Sequence, residues 1–445
     1  MSDSTRAAYT VTAEARQGLA LGGPAEVGND KASLHYVPGS VLRGALAAAW
    51  IREYGPPTRG NPDRDAFIGI FERDIRFGSL FAQGSSLTPL SALWCKYPTD
   101  DRCRDWSWDA AADGDMSQCP HCGRAAVAGK GEVSGVVPVR VVRTRLDEST
   151  GRAMDQTLRA RHELPRGQVF RGRIAGWHEW LGQQREAHLG GQRSVNGHTR
   201  LSFSPQTGGF TVRAAVSPDT LIVRLLSPAI LVDDAGRPAI ALREEICRVL
   251  GLSADTDLDR LRTREWSRPV KVGGWHAASG LPKPTEYALS MGSTLRLVLR
   301  PGVAVDSDRL SALADEGIGL RRVEGFGEVE LNPAAWRKPA VTDRQVTDRD
   351  RTDPLAALRE SELLAKPDTV GWLLSRARYV LTERGRRPGF TFEDLMTERV
   401  PHFFTDAQAD AVRALFSSPD LGGMLALIEH EFDRLRAAAG SDGAE

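Results

Sequence analysis

The chain has 445 residues, 41% hydrophobic and 26% charged, which suits two or three domains of ordinary soluble globular make-up. Lys+Arg equals Asp+Glu at 58 each, so net charge offers no argument for a polyanionic partner, and no run approaches the ~20 apolar residues of a membrane span. Met1-Ser2-Asp3-Ser4-Thr5 lacks the basic and apolar regions of a secretory signal, so the expectation is a cytoplasmic protein with reduced thiols and no membrane partner.

Residues 7–21 alternate as an opening strand. Val37-Pro38-Gly39-Ser40-Val41-Leu42-Arg43-Gly44 then leads into a helix with Leu42, Ala45, Leu46, Ala49 and Trp50 on one face, stopped by Gly55-Pro56-Pro57. Ser40 is first of all a cap for that helix; its hydroxyl and the first-turn amides also suit a phosphate, with Arg43 one turn further in. Ile75–Phe81 reads as the next strand.

Four of the five cysteines then fall within 28 residues: Cys95, Cys103, Cys119 and Cys122. Two thiol pairs separated by a 15-residue loop match a tetrahedral structural zinc site, and Cys119-Pro120-His121-Cys122-Gly123 has the form of a zinc knuckle. His121 replacing one cysteine is a variant of the same site; a redox dithiol lacks a surrounding βαβ frame. Residues 100–117 are acidic and poor in aliphatics, so metal would supply their folding energy. Four thiolates leave no position for water, which makes the zinc structural rather than catalytic. Cys247 reads as a small buried residue on a helix.

Residues 140–213 carry 13 arginines, 6 acids and no lysine, a bias suited to bidentate phosphate contacts, although a high-GC genome enriches arginine by itself. Here 168–177 reads as a strand, 178–189 as a helix and 199–204 as another strand. The glycine-flanked Gly191-Gln192-Arg193-Ser194-Val195-Asn196-Gly197-His198-Thr199-Arg200 presents Arg193, Ser194, His198 and Arg200.

The second half repeats the order: a strand at 220–226, a helix over 242–250 stopped by Gly251, and strands near 270–275 and 294–299. A helix then runs from its Asp306-Ser307 cap to Gly317, and the last strand is 328–331. Trp275 and Lys283, on either side of a glycine-rich turn, offer stacking and charge, with plain packing as the alternative for Trp275. In Gly317-Ile318-Gly319-Leu320-Arg321-Arg322-Val323-Glu324-Gly325-Phe326-Gly327, glycines would let the chain approach a phosphate beside Arg321 and Arg322, and Phe326 would stack on a base; simple turns are the alternative. Residues 332–353 turn polar, and 354–439 regain helical periodicity through Leu355, Leu358, Leu363, Leu364, Leu373, Leu374, Leu425, Ile428, Phe432 and Leu435.

The Pro-Gly-Ser helix start and the glycine-rich loop resemble blocks of the RAMP superfamily of CRISPR-associated RNA-binding proteins. With the 191–200 and 273–284 blocks and the cysteine insert, residues 7–335 look like the Cas-five-like (Csx-type) subunit of type III-D effectors. The expected fold class is α+β, with tandem ferredoxin-like (RRM-like) domains at 1–213 and 214–335, a zinc-binding insert at about 84–135, a linker at 336–353 and a helical domain at 354–445. The resemblance implies a non-catalytic subunit that caps the 5′ repeat-derived handle of a guide RNA. It would dock a large polymerase/cyclase-type subunit beside backbone RAMP subunits and meet target RNA indirectly. The expected RNA contacts are Gly39, Ser40, Arg43, Arg193, Ser194, His198, Arg200, Trp275, Lys283, Arg321, Arg322, Gly325, Phe326 and Gly327. Two alternatives stay open. One is a metal-independent guide-maturing endoribonuclease with His35 as base and Arg43 near it. The other is a backbone subunit cutting target RNA with Asp30 or Asp74.

Overall fold

The computed structural model describes residues 8–22, 30–144, 149, 154, 159–191, 195–206, 219–276, 281–338, 355–365, 367–386, 390, 405–418, 421–425, 427–429 and 432. It forms two compact units, Met1–Ala340 and Val341–Glu445.

In the first sheet of the larger unit, strand Ala8–Ala15 lies between Val169–Ala175 and His198–Gln206, antiparallel to both. Arg76–Phe77 and Phe81–Ala82 pair with the far side of Val169–Ala175, and Arg185–His188 borders His198–Gln206. With 76–82 taken as one strand and the added edge strand Arg185–His188 set aside, chain order becomes 2-3-1-4 in space, the arrangement of a split β-α-β unit. Helix Gly39–Tyr54 covers one face, packing Leu42, Leu46 and Trp50 with Val11, Ala13, Phe170 and Ile174. The helix expected over 178–189 is absent: a single 3₁₀ turn, Glu179–Gly182, precedes the edge strand. Ala187 and Leu189 are buried while Glu186 and His188 face out, a period of two that belongs to a strand.

The second sheet repeats this order as Arg264–Trp266, Thr294–Val298, Thr220–Leu225 and Val329–Leu331, all antiparallel. Helices Leu242–Leu250 and Ser307–Glu316 cover one face against Leu221, Val223, Leu225, Leu295 and Leu297. The strand expected at 270–275 lies outside this sheet. Pro269–Val272 pairs with Glu286–Leu289, and Trp275–His276 with Leu281–Pro282, making a separate hairpin. Its valines alternate as they would in a sheet strand, and period alone does not name a partner.

Thr220–Leu225 is buried at all but its first residue, so both of its faces are covered. The second cover is the cysteine insert. Its strands Ser107–Asp109, Ala92–Cys95 and Ala126–Ala128 form a small sheet, followed directly after Asp109 by the short helix Ala110–Asp113. Asp109 meets Arg224 at 2.9 Å, and Arg296 donates to the Ala110 carbonyl at 3.0 Å. Residues 336–338, expected to begin the linker, instead close over the insert. The Trp336 amide donates to Asp109 at 2.8 Å, Arg337 pairs with Asp113, and Lys338 donates to the Arg104 carbonyl.

The smaller unit contains helices Ala356–Glu360, Pro367–Arg386 and Asp406–Ser417, the last opened by a Thr405/Gln408 capping box. Leu355, Leu358, Leu363, Leu364, Leu373, Leu374 and Ile428 share its core, with Leu425 and Phe432 packed against it; Leu435 lies outside the described residues. Among the described residues no helix is long and apolar enough to cross a membrane.

Candidate nucleic-acid interface

The two glycine-bearing blocks, 280 residues apart, meet. Helix Gly39–Tyr54 starts two residues earlier than Ser40 capping requires: Pro38 is the N-cap, with no side-chain cap bond, and its carbonyl takes the Val41 and Leu42 amides. A Cβ on Gly39 would lie 1.8 Å from the Phe77 carbonyl oxygen. Gly325, at φ +82°, would place a Cβ 2.3 Å from that same oxygen and 3.0 Å from Gly39 Cα. A Cβ on Gly327 would meet the Ile318 oxygen at 1.8 Å. Close crossing of the chain by itself accounts for glycine at 39, 325 and 327, and Ser40 sits in the first turn rather than at the cap.

The cations of these blocks are largely engaged. Arg43 donates to the Phe71 carbonyl and pairs with Glu72, tying the first helix to the helical segment Gly69–Arg73. Arg321 holds Glu324 and Glu286 and lies over the Phe326 ring at 4.7 Å. Lys283 gives Glu324 a further pair at 2.8 Å, and Arg322 reaches Glu316 at 3.3 Å. Burial pushes the Glu324 carboxyl up, but the bonds from Arg321 and Lys283 outweigh it and hold it at about 2. The glycine-rich loop is therefore an internally balanced ion network. Trp275 is not a packing residue: it is 63% exposed and lies opposite Pro282, next to Leu281 at 61%.

The other expected residues separate. His198 and Arg200 stand on the open face of the first sheet, both bound to Glu186, at 3.1 and 3.0 Å. Arg193 and Ser194 lie outside the described residues. His35 Nδ1 lies 3.1 Å from the Val133 carbonyl, and Asp74 pairs with Arg73. Asp30 lies opposite Ala160 in a three-stranded ribbon.

That ribbon holds residues not singled out in sequence. Arg159–Glu163 is flanked by Val139–Arg143 on one side and Asp30–Lys31 on the other. Register sets Arg143 directly opposite Arg159, and Arg161 opposite both Val141 and Lys31. Lys31, Arg143, Arg159 and Arg161 consequently share one face, with all but the half-buried Arg161 exposed. The described carboxylate on this face, Glu163, is buried, accepts from Asn196 at 2.6 Å and lies 4.0 Å from Arg143. Like charges directly opposite one another destabilise a ribbon, and a bound polyanion relieves that cost. The arginine surplus pointed to this region; only the register shows that the charges converge.

The four insert cysteines also converge. Their sulfurs all lie within 4.8 Å of one another, with Cys95–Cys122 at 3.6 Å and Cys103–Cys119 at 3.8 Å. Zinc–thiolate bonds of ~2.3 Å make a tetrahedron with edges of about 3.8 Å, whereas a disulfide needs ~2.05 Å, so the set fits a dication and not a crosslink. The Thr99 hydroxyl lowers the Cys103 thiol, while the crowding of four sulfurs raises that of Cys122. Cys247 is buried on its helix, which pushes its thiol up.

No protein-family model matches the chain, and no curated protein does. Among solved structures, a chain of the type III-B Cmr-beta complex bound to cognate target RNA and AMPPnP is similar at 13% identity and TM-score 0.39, covering 64% of this chain and 86% of that one. A chain of apo Cmr-beta aligns at 11% identity and TM-score 0.27, covering 44% of this chain and 96% of that one. CRISPR associated protein Cas6 aligns at 9% and 0.29, over 73% and 98%. Likeness at these values assigns no family.

Proposed function

We propose that this chain is a non-catalytic, RNA-binding subunit of a CRISPR effector of the RAMP type, and within it the type III-D subunit that caps the 5′ handle of the guide. The observation that carries the RNA reading is the cationic face of Lys31, Arg143, Arg159 and Arg161, in cross-strand register and without an equal number of described carboxylates. Two sheets in split β-α-β order and the four sequence blocks support the RAMP assignment. In this reading the exposed Trp275 of the hairpin spanning 269–289 supplies a stacking surface, the cysteines hold structural zinc, and base pairing by the guide reads sequence while the protein contacts backbone. The large signalling subunit and backbone subunits would dock around it.

Co-expression with genomic neighbours, affinity capture and sequencing of the bound RNA test this. Short RNAs sharing one repeat-derived 5′ end, recovered with a multi-subunit partner set, are expected. A lone protein free of RNA would overturn the reading.

A further inference from the structure

We propose that the four-cysteine centre is a metal-dependent clasp that seals the outer face of the second sheet through Asp109. This goes beyond the functional reading above and does not depend on RNA binding.

Asp109 is fully buried. It accepts from the Ser91 hydroxyl at 2.7 Å, the Ala111 amide at 3.2 Å, the Trp336 amide at 2.8 Å and Arg224 at 2.9 Å. Those donors come from three stretches: the insert, the central strand of the second sheet, and the chain just past its last strand. A buried carboxylate–guanidinium pair is tolerable only when its remaining lone pairs are satisfied, so the carboxylate needs all three stretches in place together.

The metal ligands bracket that carboxylate. Asp109 lies opposite Ala92 on the strand that ends at Cys95, and Cys103 sits on helix Asp101–Asp105 just before strand Ser107–Asp109. Cys119 and Cys122 follow on the other side. The insert's buried cluster around these ligands consists of cysteines with Trp106, too little apolar matter to order the strand without a cross-link. The metal, binding thiolates and releasing their protons, supplies that cross-link.

What it closes is the face through which an RRM-like sheet takes bases. Ile222, Arg224 and Val298 are buried beneath the insert's side of this sheet, and Arg296 is drawn to Ala110 and Asp115. The insert is thus an intramolecular occupant of that face.

The test is hydrogen exchange by mass spectrometry on the full-length, zinc-loaded protein before and after EDTA, with zinc stoichiometry measured alongside. Zinc removal is expected to raise exchange at Thr220–Leu225 and Thr294–Val298 at least tenfold, while Val169–Ala175 stays protected. Asp109→Asn should reproduce the faster exchange with zinc still bound, and Cys122→Ser should lose zinc and show it too. Faster exchange confined to 92–128 after EDTA, or a protein that purifies without metal and with the second sheet already protected, overturns the proposal. Should Asp109→Asn fail to fold, the EDTA comparison on the unaltered protein still decides.

Discussion

Glu324 concentrates the electrostatics of the glycine-rich loop, because Lys283 and Arg321 both bind a carboxylate only one-seventh exposed. Its folded carboxyl titrates at about 2, against an ordinary 4.5. A depressed carboxyl stabilises the fold fully above its unfolded value, and that contribution fades as pH falls from about 4.5 towards 2. Glu324→Gln should therefore cost on the order of 3 kcal/mol near pH 6 at most, with the difference from the unaltered protein shrinking steadily below pH 4.5. Denaturant titrations at a series of pH values check this; a difference that does not vary with pH would falsify the ion-network account. Gly39 offers a second expectation. A methyl group there collides with backbone rather than with a yielding side chain, so Gly39→Ala should lose on the order of 2–4 kcal/mol in a denaturant melt. The motif was visible as glycines between arginines, but the same glycines serve a chain crossing as well as they would a phosphate. Nothing local tells the two apart.

Among the elements, the cationic ribbon carries an internal conflict, since Arg143 faces Arg159. Arg159→Ala should raise the stability of the RNA-free protein by about 0.5 kcal/mol while weakening RNA binding and reducing its salt slope by about one. A denaturant melt paired with binding at several salt concentrations reads both; loss of stability together with an unchanged slope would make the ribbon structural. Sequence patterning served elements unevenly. Helix Gly39–Tyr54 was legible because an apolar stripe and a Gly-Pro-Pro stop are local signals. Residues 185–188 were misread as helix, and 269–272 were placed in the wrong sheet, because short segments fit two periods and two partners equally well.

For the whole molecule, the cysteine insert braces the larger unit, touching the second sheet at Arg224 and Arg296 and the chain at 336–338. The helical unit has its own core of Leu358, Val370, Leu373, Ala377 and Phe416. A chain ending at Ala340 is therefore expected to fold with the melting transition of the larger unit retained and to bind as much zinc as the full chain does; loss of that transition would show that the larger unit leans on residues beyond 340. Sequence by itself determined which four cysteines could gather, the strands near 220–226, 294–299 and 328–331 with the helices at 242–250 and 307–316, and the leucines of the helical tail. These follow from ligand chemistry and from periodicities confined to a few neighbouring residues. Only the tertiary structure decided that Gly39 lies against Gly325, that Asp109 closes on Arg224, and that Arg143 and Arg159 face one another. Each of the first two contacts joins residues more than a hundred positions apart, and the third depends on a register set across an intervening loop, so no local pattern carries them.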